Sequence, residues 1–177
     1  NGTCWESLKE YLKKSNSTVI CAQEHRIAAV DAINAADDWC RRNGWEAVWS
    51  AAKPSDAGGE ASGGTAIIAK KGMGLVGANA RLEVPHRRIA ATVDIPGGRR
   101  TLFIAAYLRC SIGLKQDNAE LMADIGRTID DWNGPAIVGA DFQVPPDELG
   151  AARVAGALLR AATIVAPDDP KGTCSNS

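Results

Sequence analysis

The 177 residues carry 20 Lys and Arg against 21 Asp and Glu, a formal net charge of -1, and 45% of them are apolar. That length suits one domain with a sizeable core, and the balanced charge gives no chain-wide basic field, so any nucleic-acid surface must be a local patch. No apolar run nears the roughly 20 residues of a membrane span and no signal peptide is visible, although a chain that begins at Asn1 without a Met says little about targeting.

The first predicted element is an amphipathic helix over 5–14, with Trp5, Leu8, Tyr11 and Leu12 as its apolar stripe and Ser15-Asn16-Ser17 ending it. A strand follows over 19–23. An Ala-rich helix over 28–42 carries Val30, Ile33, Trp39 and Cys40 and stops at Gly44. A strand is expected over 46–50, then a Pro/Gly/Ser-rich loop over 53–62 and a buried strand over 63–70. A weaker strand is expected over 75–82. Strands over 88–95 and 101–107 flank Pro96-Gly97-Gly98-Arg99 and read as a hairpin. The stripe Leu121, Met122, Ile125, Ile129, Trp132 marks a helix starting near Asp117. A strand over 136–140, a helix over 149–161, a short strand over 163–165 and the opening of another over 172–177 complete the chain. This order suggests two sheets with helices outside. The five cysteines, Cys4, Cys21, Cys40, Cys110 and Cys174, form no CxxC pair, which argues against structural zinc and for a reducing compartment.

Two strand ends carry the chemistry. Residues 136–140 are an apolar run bounded by Asn133-Gly134-Pro135 and followed by Asp141-Phe142-Gln143. Residues 18–22 are built in the same way and deliver Gln23-Glu24-His25. Carboxylates at corresponding ends of two buried strands suit a hard, oxygen-liking cation. Taken singly, each has a plainer reading: a solvated strand-end acid for Glu24, and an Asx turn or helix cap for Asp141.

The order Gln23-Glu24, Gly63-Gly64-Thr65-Ala66-Ile67, Ala106-Tyr107, Gly139-Ala140-Asp141-Phe142-Gln143 resembles the endonuclease/exonuclease/phosphatase (DNase-I-like) superfamily. Within it, the chain looks most similar to endonuclease domains of LINE-type retrotransposons. The resemblance covers nearly the whole chain. It implies a four-layer α/β/β/α sandwich of two mixed, mainly antiparallel sheets. It also implies hydrolysis of a phosphodiester or phosphomonoester dependent on Mg2+ or Mn2+, with DNA as the expected partner.

Carried over residue by residue, the resemblance makes Glu24 the metal-binding glutamate and Asp141 the group that orients or deprotonates the attacking water. Tyr107 would face the phosphate, and Asn1 would help to hold the metal. Gln143 stands where the family usually has Asn, one methylene shorter, so placement of its amide is in question. Gln23 is a supporting polar group. Arg26, Arg109 and Lys115 lie near the rim as candidate phosphate contacts, and Thr173 resembles a threonine of the penultimate motif. His25 reads as substrate-side or exposed. For His86-Arg87-Arg88, phosphate contact and a solvated basic strand end both stand. The five tryptophans suit core packing better than base stacking.

The family continues with a further Asp-bearing strand and closes on a Ser-Asp-His motif, neither of which is present. Residues 1–177 are therefore expected to be a single domain lacking its last strands, with little hydrolase activity of its own. Its setting would be a larger polyprotein with reverse transcriptase, intracellular, and nuclear if it is a retroelement endonuclease. A phosphatase of the same superfamily and a degenerate, non-catalytic remnant are the alternatives.

Overall fold

Alternation of side chains along the strands sorts this chain into layers. The computed structural model describes residues 4–55, 59–78, 85–110 and 112–144, with 147, 149, 163 and 165 singly. Residues to Gln143 form one unit and those from Val144 another. The first contains α1 (Cys4–Lys14), β1 (Val19–Gln23), α2 (Val30–Arg42), β2 (Trp45–Ser50), β3 (Thr65–Lys70), β4 (Val76–Gly77), β5 (Arg88–Ile95), β6 (Arg99–Tyr107), α3 (Asp117–Trp132) and β7 (Ala136–Asp141). One sheet has the order β1-β3-β2 and the other β4-β5-β6-β7. All pairings are antiparallel except β6 with β7.

The central strand β3 shows why two faces form. Ala66 and Ile68 join Leu12, Ala22, Cys40 and Trp45 in a core under α1 and α2. Ile67 and Ala69 point the other way, onto Ala91, Val93, Phe103 and Ala105 of the second sheet. Ile67 and Ile68 are both 0% exposed, and each such burial is worth about 1.5–3 kcal/mol. On the far side of the second sheet lies α3, with Leu121, Met122 and Ile125 buried and packed toward β6. The layers are thus helix, sheet, sheet, helix, the α/β sandwich expected from the sequence.

Several boundaries shift for local reasons. Gly63 and Gly64 precede β3 rather than belong to it, because both have positive φ. Of the predicted strand over 75–82 only Val76–Gly77 is a strand, and 79–84 lie outside the described residues. The α1 stripe narrows to Trp5, Leu8 and Leu12, leaving Tyr11 exposed. Val30 sits at the first position of α2 and is exposed too. The tryptophans are structural: Trp45 is buried, and Trp5 meets Trp39 and Trp49 edge-to-face at 5.6 and 5.7 Å. The elements expected over 149–161, 163–165 and 172–177 lie outside the described residues, apart from those single positions.

Two features position the site. A parallel pair needs a crossover, and α3 supplies it between β6 and β7, so that both strands end side by side with Tyr107 opposite Asp141. Across the sandwich, β1 packs on β6 and β7 and brings its own C-terminal end to the same place.

Candidate functional site

Glu24, Tyr107 and Asp141 come from the ends of three different strands, and hydrogen bonds link the neighbourhood. The Tyr107 hydroxyl lies near the Glu24 carboxylate, and burial first, then that carboxylate, raises the phenol's pKa. Cys110 Sγ is 4.0 Å from Tyr107 Oη and donates to Gln143 Oε1 at 3.2 Å. Gln143 in turn gives both of its donors to Asp141: Nε2 to Oδ2 at 2.5 Å and the backbone N–H to Oδ1 at 3.3 Å. The Asx-turn geometry of Asp141 therefore coexists with its place at the end of β7. Cys110, which the sequence did not single out, joins Gln143 to Tyr107.

The backbone around Glu24 is held under strain. Glu24, Arg26 and Gln143 have φ of 53°, 57° and 52°, a region non-glycine residues enter at a cost of roughly 1–3 kcal/mol. His25 is the latch. The sequence suggested an exposed or substrate-side ring, but it is 2% exposed. Its Nδ1 accepts from Ile27 N at 3.0 Å, which leaves the proton on Nε2 to be donated to Ser50 O at 3.1 Å. Burial lowers the pKa of this neutral ring. Room for it comes from Gly64, where a Cβ would lie 2.6 Å from His25 Cε1. Gly64 thus acts on Glu24 indirectly, by seating the neighbouring histidine, while Gly63 stands against His86 O.

Compared with known proteins, the sequence matches no family model and no curated protein. Among solved structures it matches truncated TDP2 from Caenorhabditis elegans with TM-score 0.53 and 14% identity, over 82% of this chain and 57% of that one. It matches an endonuclease/exonuclease/phosphatase family protein from Leptotrichia buccalis C-1013-b with TM-score 0.55 and 13% identity, over 86% and 66% respectively. The chain has the endonuclease/exonuclease/phosphatase fold. It also matches the endonuclease domain of TRAS1, a telomere-specific non-LTR retrotransposon, with TM-score 0.49 and 10% identity, over 83% and 56%. The chain spans less than two thirds of each of these structures.

On this endonuclease/exonuclease/phosphatase fold, Arg26, Arg109 and Lys115 fall on the surface. Arg26 pairs with Glu60 at 2.6 Å and Arg109 with Asp117 at 2.9 Å, all four side chains exposed. Such pairs contribute about 0–1 kcal/mol, so either arginine can exchange its carboxylate for a phosphate. Lys115 is exposed. Asn1 and Thr173 lie outside the described residues. Arg87 and Arg88 are 7% and 0% exposed, not a solvated strand end. Asn118, also 0% exposed, organises the loop after β6 by bonding Arg109 N and O and Gly113 O. Its place on the buried stripe of α3, three residues before Leu121, was the available signal for it.

The donors here are oxygen-rich. Among the described residues no three His, Cys, Asp or Glu side chains gather into a metal cage. Mg2+ is typically held by one or two carboxylates and keeps several waters, so Glu24, with Asp141 near it in the fold, fits such an ion. Among the described residues no helix is long and apolar enough to cross a membrane.

Proposed function

We propose that this chain carries the phosphodiester-hydrolysing site of a metal-dependent endonuclease that nicks DNA, of the retroelement type. The observation that carries it is the convergence of Glu24 with Tyr107 and of Asp141 with Gln143 at neighbouring strand ends. Mg2+ or Mn2+, when bound by Glu24 and Asn1, would neutralise charge on the phosphate and the leaving oxygen. The protein's own groups do the rest. Asp141 aligns a water behind the phosphorus and accepts its proton at a carboxylate oxygen. The Tyr107 hydroxyl stays protonated, because its pKa is raised, and donates to a non-bridging oxygen. Gln143 Nε2 donates beside it once it leaves Asp141 Oδ2. Arg26 and Arg109, with Thr173 by resemblance, contact the flanking backbone. The reading takes residues 1–177 as one domain of a larger, nuclear polyprotein with reverse transcriptase.

Supercoiled-plasmid nicking in Mg2+ or Mn2+ tests it. Open circles are expected from the longer protein, with little nicking by residues 1–177 alone; they should be lost on chelation and reduced about 100-fold or more in Asp141→Asn. A folded protein that leaves plasmid intact but hydrolyses a phosphomonoester would move the assignment to a phosphatase. A second reading, a non-catalytic remnant, draws on Gln143 occupying Asp141 Oδ2. It is supported if neither substrate is cleaved.

A further inference from the structure

Arg87 and Arg88 are consecutive and both buried, yet their charges are treated differently. Arg88 is paired with Asp124 of α3. Arg87 bonds neutral acceptors: Nε donates to Tyr107 O at 3.0 Å and Nη2 to Asn118 Oδ1 at 2.7 Å. Among the described residues, Nη1 is buried with no hydrogen-bond partner. Asn118 cannot neutralise the charge, and the nearby Asp117 carboxylate is engaged by Arg109 at 2.9 Å. Burying a cation without a counter-ion costs several kcal/mol, and native proteins pair such groups. A purely structural tie to Tyr107 O and Asn118 would not require a charge at all.

The position of this charge suggests what completes it. Arg87 Cζ lies 5.9 Å from the centroid of the Tyr107 ring, and Arg87 O accepts from Tyr107 N at 2.9 Å. Tyr107 in turn lies near the Glu24 carboxylate. Arg109, exposed, is a second cation close enough to act on Arg87 electrostatically. Arg87 and Arg109 thus bring two positive charges to this strand end.

We propose that Arg87 binds the substrate phosphate, with Nη1 donating to a non-bridging oxygen, so that the substrate supplies the counter-ion that the described residues do not. This rests on the phosphodiester-hydrolase reading above and adds a residue to it. Two bonds already fix the guanidinium plane, so the third corner is pre-oriented, which a lysine could not match. Nη1 is closed to water, so the oxyanion reaches it by displacing a flanking side chain. The exposed Arg109, held by a surface ion pair, is free to give way.

The test is binding of a short DNA duplex to the full chain in chelator, as a function of salt, with inorganic phosphate as a second probe in thermal unfolding. Wild type should show a saturable rise in midpoint with phosphate. Arg87→Gln should lose that rise, bind DNA more weakly and flatten the salt dependence by about one unit of slope, the share of one phosphate contact. Arg100→Gln, an exposed arginine at the opposite end of β6, should match wild type. Should Arg87→Gln fail to fold, Arg87→Lys replaces it, with the phosphate response again expected to weaken. An unchanged slope and phosphate response in a folded Arg87 variant overturns the proposal, as does a wild type that phosphate does not stabilise. Parallel plasmid nicking by the longer protein separates the two readings. Nicking with Arg87-independent anion binding sinks only the role of Arg87. Arg87-dependent anion binding without nicking sinks the hydrolase and keeps the anion site.

Discussion

Gln23 Nε2 donates to Gly139 O at 2.9 Å, a bond between the two facing sheets. It lies one residue before Glu24 and two before Asp141, so it sets the spacing of the two acids more directly than either strand's own pairing. Gly139 permits the approach, since a Cβ there would stand 2.6 Å from Cys21 Cβ.

Gln23→Leu removes the bond and leaves the Gly139 carbonyl without this donor. A loss of about 1 kcal/mol in urea unfolding is expected, with weaker Mn2+ binding by calorimetry because Glu24 is no longer registered against Asp141. Gly139→Ala forces the sheets apart and should cost about 1–3 kcal/mol. Unchanged Mn2+ affinity in a folded Gln23→Leu protein would show that the bond is only structural.

Acid should weaken the fold through His25. Its pKa is lowered in the folded protein by burial, so below the ordinary value of about 6.5 the unfolded chain binds more protons than the native one. Stability is therefore full above that pH and falls as pH drops below it. The urea midpoint of wild type is expected to decline between about pH 7 and 5, and that of His25→Gln, lower throughout, to decline less. Parallel curves would remove His25 as the cause.

The buried Arg88–Asp124 pair, extended by Arg88 Nη2 to Thr128 Oγ1, ties β5 to α3. Asp124→Ala leaves Arg88 without this carboxylate and should cost about 3–5 kcal/mol by denaturant titration. Replacing both partners, Arg88→Met with Asp124→Leu, is expected to restore most of that loss. A single variant as stable as wild type would show that the charge is satisfied elsewhere.

Gln143→Asn tests the extra methylene. The longer side chain closes on Asp141 Oδ2 at 2.5 Å, whereas Asn is one carbon shorter and leaves that oxygen to the attacking water. Nicking is expected to rise about tenfold, since placement on the ångström scale can change rates by that much or more. Gln143→Ala should not reproduce the gain. A slower Asn variant would indicate that the site has adjusted to Gln.

Much of the fold was legible in the sequence, because strand and helix patterns are local. The limits of β1 and β5, the start of α3 at Asp117, and the hairpin around Gly97 and Gly98 follow from apolar period and turn residues a few positions apart. Glu24 and Asp141 were visible as acids ending apolar runs. Tertiary structure alone decided the rest. Gln23 and Gly139 are 116 positions apart, and no local pattern marks a bond across facing sheets. His25 is buried because Gly64 lacks a side chain where the ring sits. Arg87 and Arg88 look alike in sequence and differ only because α3 returns with Asp124 under one of them. Period and turn propensity act over a turn or a strand, whereas burial and charge pairing depend on which distant segment arrives opposite.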